Sequence, residues 1–392
     1  MTVDRRAWIA LGSLVGWGLH RFHHFRNHWN GEIRAWFESK DGLKGVPPAT
    51  TKRAKLALLE IHQKGLERIA AEVEEWPCDS ILIGEEGYPQ RLLSLSSPPI
   101  VVHYRGDLGV LSAPQVAVVG SRRISSAASS AAREILEGAH RGSWVVLSGG
   151  ALGADGIAHR SSLDAGRPTA SVLPSGLSRR TPRKHGPLFE EILSKGGLLL
   201  SEYSPNAEVR KYHFRRRNEL IAALAEGVFV LRAREESGTM LTVRAARELG
   251  RPLSAMPGSP KDPMVVGCHE IIRDGGTLIG SRQELVSWLK LLDLMEIKGN
   301  RTNEVIPAGS DQLSLSCLQP RGQQESPKRE LPVCNLLQVA VAIQGADGLF
   351  SIEELVRISR QSVQEVQTTL LTHELTGWID RIDGERFRIN FH

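Results

Sequence analysis

The chain has 392 residues, of which 41% are hydrophobic and 24% are charged, and its formal net charge is +5. The length is enough for two or three domains, and the composition is ordinary for a soluble globular protein. The four cysteines are scattered without a C-x-x-C pair, so we expect a reducing cytoplasm and no metal site. The apolar run 7–19 is too short to cross a bilayer, and we expect no membrane association.

Residues 1–77 predict a helical module. An apolar stripe at 11–15 and a second helical pattern from Lys52 to Glu75 support it, and Trp76-Pro77 ends it. Residues 15–19 read VGWGL, a pattern of helix-hairpin-helix or SAM-like modules whose backbone N–H groups can contact a DNA phosphate. A tight corner between two helices explains the same glycines, and for one isolated copy we favour that interpretation.

Residues 78–292 alternate short aliphatic runs with helical patterns, which is typical of a doubly wound, mostly parallel α/β sheet. Six runs have the length of a strand: Val116–Val119, Trp144–Leu147, Thr169–Leu173, Leu198–Leu200, Val228–Leu231 and Leu253–Met256. Helical patterns connect them, and glycines stand where most of these helices should end. Two earlier runs, 81–83 and 98–102, predict strands that join the helical module to the sheet.

The C-terminal part predicts a linker and a small domain. Residues 293–332 are polar and lack periodicity, whereas residues 333–392 predict three helices and a hairpin that turns at Asp383-Gly384. We expect Ser351 to cap the second helix. This arrangement predicts a winged-helix-like domain, but the third helix, at 362–375, carries no cation. We therefore favour protein interaction or a structural role over DNA binding for this domain.

Glycine-rich turns follow the first two strands of the predicted sheet. Gly120-Ser121-Arg122 and Ser148-Gly149-Gly150 should both lie at its carboxyl edge, where open α/β sheets bind ligands. Glycine lets the backbone approach a phosphate, and the first N–H groups of the next helix point at it. Neither G-x-G-x-x-G nor the P-loop pattern follows these strands, so we expect neither a dinucleotide enzyme nor an ATPase, and no cofactor.

Positive charge is densest in the run RKYHFRRR at 210–217, just before Asn218 at an expected helix start. Since the run follows the fourth strand, it should lie in a loop at the same edge. Cations bind phosphates, and interleaved Tyr212 and Phe214 can stack on unpaired bases at about 1–3 kcal/mol each. A second basic group at 179–185 follows the third strand. A solvated charged surface is the alternative, but the convergence of these loops favours a nucleic acid.

Catalytic chemistry has a weaker signal. Asp155 and His159 have i, i+4 spacing near Ser148, which could form an acid/base pair beside a nucleophile. The G-x-S-x-G pattern of a nucleophile elbow does not surround Ser148. We interpret Asp155 as a helix N-cap and His159 as a packed helix residue, and we expect no catalysis here.

Taken in order, several segments resemble the DprA/Smf family of DNA-processing proteins: VAVVGSR, SGGALGADGIAH, GLLLSEY, FRRRN, SGTMLTVRAARELGR, AMPG and GCHEIIRDGGTLI. The resemblance covers residues 88–289, and it is weaker in the two terminal domains. It implies an extended Rossmann-like domain that binds single-stranded DNA and forms a homodimer. It also implies a partner, the RecA recombinase, which such proteins load onto single strands during natural transformation.

The resemblance also implies site residues. Gly120, Ser121 and Arg122 match the family's phosphate-contact motif, Arg217 and Asn218 match its basic pair, Phe214 matches its stacking aromatic, and Ser237, Gly238 and Thr239 match its SGT turn. The basic runs of this sequence add two further expected phosphate contacts, Arg215 and Arg216. They also supply auxiliary cations, which are Arg179, Arg180, Lys184, Arg210 and Lys211. The chain departs from the family at Glu219, commonly Arg, at Arg215, commonly Pro, and in the third-strand loop LPSGLSRRTP.

Our leading hypothesis is a non-enzymatic single-stranded DNA-binding protein that protects incoming DNA and loads RecA onto it. One alternative is a nucleotide-processing hydrolase resembling the phosphoribohydrolases, whose P-G-G-x-G-T-x-x-E motif is matched only in part, with Val243 near the place of its glutamate. Another is an interaction scaffold that uses the C-terminal domain for docking.

Overall fold

A computed structural model describes residues 2–14, 19–48 and 50–300, together with three short strands near the C-terminus. The chain divides into two compact units, Met1–Val305 and Ile306–His392. The expected glycine hairpin at 15–19 lies, apart from Leu19, outside the described residues. In the part of the chain that is described, no helix combines the length and the apolar character needed to cross a membrane.

The N-terminal segment is helical. Its helices are α1 (Val3–Gly12), α2 (Leu19–His28), α3 (Ile33–Glu38), α4 (Lys52–Lys64) and α5 (Leu66–Glu74). The single helix expected over residues 52–75 is two helices, because Gly65 between them adopts a φ of +82°. Aromatic edge-to-face contacts fill this core, with ring centroids 5.6 Å apart for Trp8–Phe22 and 5.3 Å apart for Phe25–Trp36.

A nine-stranded, mostly parallel sheet forms the centre of the first unit. Its strands are β1 (Asp79–Leu82), β2 (Val101–Gly106), β3 (Gln115–Val119), β4 (Val145–Ser148), β5 (Thr169–Val172), β6 (Leu198–Ser201), β7 (Gly227–Val230), β8 (Leu253–Ala255) and β9 (Thr277–Leu278). The order is β1-β2-β6-β5-β4-β3-β7-β8-β9, and only the β1–β2 and β2–β6 pairs are antiparallel. The parallel α/β sheet expected from the aliphatic runs is confirmed, and β9 is an addition too short for a pattern to show.

Helices cover both faces of the sheet. They are α6 (Ser126–Leu136), α7 (Ala154–Asp164), α8 (Gly186–Ser194), α9 (Lys211–Leu224), α10 (Gly238–Glu248), α11 (Val266–Arg273) and α12 (Arg282–Asn300). Strand residues alternate between two cores: Ala117 and Val119 join the core that also holds α9, whereas Val116 and Val118 join the core of α6, α7 and α12. The last turns of α12 extend into the segment from residue 293 that we expected to be linker.

The basic run lies in a helix, which corrects our expectation of a loop. Helix α9 begins at Lys211, seven positions before the expected start at Asn218. His213 fixes this beginning, since its Nδ1 lies 3.3 Å from the Arg210 backbone nitrogen and 2.9 Å from the Pro174 carbonyl oxygen. Its ring also stacks on Tyr203, with centroids 3.7 Å apart. The arginines of the run therefore point in different directions around a helix.

The second unit contains an antiparallel sheet of β10 (Leu349–Ser351), β11 (Ile379–Arg381) and β12 (Arg386–Ile389), in the order β10-β12-β11. Ile379 on β11 lies opposite Ile389 on β12, and the expected turn at Asp383-Gly384 falls outside the described residues. Ser351 closes β10, and the three expected helices fall outside the described residues. The winged-helix-like domain stays a prediction.

Candidate nucleic-acid interface

A cleft of about 460 Å³ opens at the carboxyl edge of the sheet. From β3 the chain proceeds through β4, β5 and β6 on one side, and it returns to place β7 on the other side of β3. The cleft lies at this reversal, between the loops that follow β3 and β7. In open α/β sheets, ligands bind at such a topological switch point.

The turn after β3 forms one wall of the cleft. The Ser121 N–H donates to the Arg232 carbonyl oxygen at 2.8 Å, and the Ser121 carbonyl accepts from the Ala154 N–H at 3.1 Å. A Cβ added to Gly120 would lie 2.7 Å from the Ala154 side chain, so only glycine fits. The turn is therefore rigid, and it holds the exposed Arg122 at the mouth of the cleft.

Arg217 lies on the floor of the cleft, where it is only 6% exposed. Its Nη1 is 3.7 Å from the Asp155 carboxylate, and its buried Nε and Nη1 find no hydrogen-bond partner among the described residues. Burial lowers the pKa of Arg217, and the Asp155 charge counteracts that shift. A Cβ on Gly149 would fall on the guanidinium, so this glycine makes room for Arg217.

Asp155 is the counter-charge of Arg217 and not an N-cap. The N-cap of α7 is Gly153, and Asp155 lies inside the first turn, where it accepts from the Ala151 N–H at 3.1 Å. Burial raises the pKa of the Asp155 carboxyl, while Arg217 opposes the shift. The prediction that Asp155 is an N-cap was wrong. Its partner, Arg217, is 62 positions away in sequence, so a local sequence pattern cannot identify the pair.

The SGT turn forms the opposite wall. Ser237 is the N-cap of α10, and Gly238 and Thr239 are the first residues of that helix and line the cleft. The Asn218 side chain donates to the Gly238 carbonyl oxygen at 2.9 Å and so ties α9 to this turn. The buried Ser237 Oγ has no hydrogen-bond partner in the described part of the chain. The positive end of α10 thus faces the cleft.

Phe214 also lines the cleft, in contact with a cation. The Arg122 guanidinium carbon lies 5.3 Å from the centroid of the Phe214 ring, a cation–π distance. The ring is half-buried, so part of it remains accessible from the cleft. An aromatic ring and an arginine at the mouth of a cleft lined by cations have the chemistry that binds an unpaired nucleotide.

The other cations of the basic run lie outside the cleft. Arg216 donates through Nε to the Glu202 carboxylate at 2.9 Å and through Nη1 to Glu219 at 3.0 Å. Arg215 is exposed, and its Nε is 3.5 Å from the same Glu219 carboxylate. Glu219, which departs from the family pattern, thus serves as a partner of both arginines. Neither arginine lines the cleft.

The auxiliary cations are dispersed as well. Arg179 pairs with Glu208, and Arg180 lies 2.5 Å from Glu190. Lys184 lines a separate groove, and Arg210 and Lys211 are exposed at the beginning of α9. The structure therefore does not bring these five residues together in the cleft.

Two cleft cations were missed by sequence reasoning. Arg123 and Arg234 are exposed and line the cleft, and each stands four positions after the last residue of a parallel strand. Their position shortly after a strand could have identified them, because the loops that follow parallel strands at a topological switch point face the ligand.

Ser148 and His159 do not form a catalytic arrangement. The Ser148 hydroxyl donates to the Val118 carbonyl oxygen at 2.6 Å, and His159 Nδ1 lies 2.9 Å from the Thr169 hydroxyl. Burial lowers the pKa of His159 to about 3, so its ring is neutral near pH 7. The interpretation of His159 as a packed helix residue is confirmed.

Comparison with known proteins gives consistent matches. The sequence model of the family "DNA recombination-mediator protein A" matches residues 79–290. Protein Smf of Escherichia coli is 30% identical over 395 residues, covering 99% of this chain and 96% of that protein. DNA processing protein DprA of Streptococcus pneumoniae is 35% identical over 219 residues, covering 56% of this chain and 76% of that protein.

Two solved structures are similar to this chain. The crystal structure of DprA from Streptococcus pneumoniae has a TM-score of 0.59 and 28% identity, covering 73% of this chain and 98% of that one. DNA processing protein A from Helicobacter pylori has a TM-score of 0.50 and 27% identity, covering 55% and 97%. The latter structure was reported for its single-stranded DNA binding mode.

Proposed function

The chain belongs to the DprA/Smf family of DNA recombination mediators, and from this premise we propose that it binds single-stranded DNA in the cleft between β3 and β7. We further propose that it acts in the cytoplasm as a homodimer, protects incoming DNA and loads a RecA recombinase onto it. The Helicobacter pylori relative, with its single-stranded DNA binding mode, supports the choice of ligand.

The observation that carries the proposal is the buried Arg217. An arginine that is 6% exposed and lies 3.7 Å from the Asp155 carboxylate pays a desolvation cost that the charge of an anionic ligand in the cleft would lower. Arg122, Arg123 and Arg234 surround the same cleft and supply further charge. A polyanion such as a phosphodiester chain satisfies these groups together.

Phe214 distinguishes a single strand from a duplex. In a duplex the base faces are stacked on their neighbours, whereas an unpaired base exposes a face that an aromatic ring can cover. Since Phe214 lies at the cleft with Arg122 on its ring, base and phosphate can be bound side by side. We therefore propose Phe214 as the stacking residue.

The proposed homodimer has a candidate surface. Strand β9 is at the edge of the sheet, and Leu278 on this strand is 45% exposed. An exposed leucine at the edge of a sheet offers an apolar contact that a second copy can cover. We propose that a second copy of the chain covers it.

We propose no enzymatic activity for the cleft. Where a phosphoribohydrolase would carry its glutamate after the SGT turn, Thr242 lines the cleft and Val243 is fully buried in the core. Incubation with nucleoside monophosphates should release no free base. Release of base that is lost in Asp155→Asn or Glu236→Gln, the two carboxylates of the cleft, would establish the hydrolase instead.

Fluorescence anisotropy with a labelled oligo-dT at low and moderate salt tests the DNA site. Binding should weaken steeply with salt, and each phosphate contact that is lost should reduce the log–log slope by about 0.7. We expect Arg122→Ala and Arg217→Ala to lower the affinity about tenfold or more. Arg215→Ala, which removes the same charge outside the cleft, is the matched control.

Because Arg217 is buried, its variant needs a check of folding by circular dichroism, and the exposed Arg122 gives the cleaner result. If Arg122→Ala and Arg215→Ala bind DNA as the wild type does, the cleft is not the DNA site.

Recombinase loading needs a separate measurement. RecA ATPase activity on single strands coated with single-strand-binding protein should rise when the chain is added, and Arg122→Ala should reduce that rise. A chain stopped after Val305, the end of the first compact unit, shows whether the C-terminal unit is needed for loading. No increase with the full chain would contradict the mediator role while leaving DNA binding intact.

A further inference from the structure

A second cavity, of about 610 Å³, lies beside the cleft; we refer to it as the α6–α7 groove. One side is formed by α6 through Ser126, Ser129 and Arg133. The other side is formed by α7 through Ile157 and Arg160, and by the segment 184–188. Among the described residues, the groove shares no lining residue with the cleft, so it is a separate compartment.

Charge in the groove is of one sign. Arg133, Arg160 and Lys184 line it, and among its described lining residues none is acidic. Arg133 lies 3.7 Å from Asp164 and Arg160 pairs with Glu191, but both carboxylates are outside the groove lining. Lys184 is exposed and makes no ion pair within the described residues. Such a concentration of cations attracts a polyanion.

Apolar side chains complete the groove. Ile124, Ile157 and Leu188 line it between the cations. A nucleotide presents a phosphate on one side and an apolar base face on the other, and this alternation of cationic and aliphatic groups suits both. Two serine hydroxyls, from Ser126 and Ser129, add hydrogen-bonding groups without sequence preference.

A thin ridge separates the groove from the cleft. In the loop after β3, Arg123 faces the cleft and the next residue, Ile124, faces the groove. In α7, Asp155 faces the cleft whereas Gly156 faces the groove. Gly153 stands on the ridge, where an added Cβ would lie 2.5 Å from the Ser121 carbonyl oxygen. Consecutive residues thus line the two compartments.

We propose that the α6–α7 groove binds the continuation of the single strand that occupies the cleft, so that the strand crosses the ridge and its next phosphates meet Arg133, Arg160 and Lys184. This inference rests on the proposed function of the cleft. It adds a second binding segment, which lengthens the site and increases its dependence on salt.

Competition anisotropy with oligo-dT of about 4 and about 16 nucleotides, the range of site sizes known for single-strand-binding OB folds, tests the inference on the full chain. Arg133→Ala/Lys184→Ala should lower the affinity for the long oligonucleotide about tenfold and reduce its salt slope by about 1.4, or 0.7 for each lost phosphate contact. The affinity for the short oligonucleotide should not change, because it is held by the cleft alone.

The matched control is Arg244→Ala/Lys290→Ala, which removes the same two residue types at exposed positions outside both compartments. If the groove variant equals this control at both lengths, or weakens both oligonucleotides equally, the inference is wrong. If the groove inference fails in this way but Arg122→Ala still weakens binding of the long oligonucleotide, the proposal that the cleft binds DNA is supported. If the wild type binds neither oligonucleotide, the proposed function fails and the groove proposal fails with it.

Discussion

At the scale of single residues, the cleft depends on the space beside Gly149, which has no side chain, and on the burial of the Arg217 guanidinium in that space. Gly149 and Arg217 are far apart in sequence, yet the position of a Cβ on one is occupied by the guanidinium of the other. The absence of a side chain on Gly149 leaves room for the arginine, and the charge of the Asp155 carboxylate stabilises it there. Neither relation follows from the GSR or FRRRN segments alone.

Gly149→Ala should therefore damage the cleft. The added methyl group must displace the Arg217 side chain, and overpacking of this kind typically costs about 1–3 kcal/mol of folding free energy. We expect weaker DNA binding together with a lower midpoint of urea unfolding. Gly142→Ala is the matched control, since a Cβ there meets only the Trp144 ring at 3.5 Å, an ordinary contact, and the backbone is extended with a φ of −131°. Equal behaviour of the two variants would contradict the packing argument.

At the scale of elements, the sequence predicted strands better than it predicted the beginning of α9. Aliphatic runs such as Val116–Val119 are buried on both faces of a parallel sheet, so composition alone identifies them. The first turns of α9 carry charge on every side, and no apolar period marks them as helix. Their helical start depends on His213, which contacts Pro174 and Tyr203 in the loops after β5 and β6. Such tertiary contacts cannot be predicted from a local pattern.

Another junction of elements joins the helical module to the sheet. His103 on β2 is fully buried, with Nε2 3.0 Å from the Ser13 hydroxyl at the end of α1 and Nδ1 2.8 Å from the Ser80 hydroxyl on β1. Trp76 packs edge-to-face on the ring at 5.3 Å. Burial lowers the pKa of His103 to about 3, so the neutral ring connects the three elements.

This burial predicts a loss of stability in mild acid. A histidine with an unfolded pKa near 6.5 and a folded pKa of about 3 binds a proton only in the unfolded state between these values. The free energy of unfolding should therefore fall as the pH drops through this window, by up to about 1.4 kcal/mol per pH unit for each such histidine. His159 has the same low pKa and contributes equally.

Urea unfolding between pH 6.5 and pH 5 measures the effect where most carboxyls are still ionised. His103→Gln should be less stable than the wild type at pH 7 but should show a shallower dependence on pH, and adding His159→Gln should flatten it further. An unchanged slope in the double variant would show that these rings are not the origin of the acid sensitivity.

At the scale of the whole molecule, the proposed function depends on two copies of the cleft. A homodimer that binds one long strand through both clefts gains from effective concentration, because the second contact becomes intramolecular. The described chain offers the edge strand β9, with its exposed Leu278, as the surface through which two sheets can join.

Leu278→Asp should therefore convert a dimer into a monomer, as measured by light scattering, since a charge in a covered apolar contact is costly. The same variant should lower the affinity for a long single strand while leaving a short oligonucleotide in one cleft unaffected. Leu56→Asp, at a leucine that is 58% exposed on the helical module, is the matched control and should remain a dimer. A wild-type chain that is already monomeric at high concentration would contradict the homodimer. A dimeric Leu278→Asp would instead move the interface away from β9.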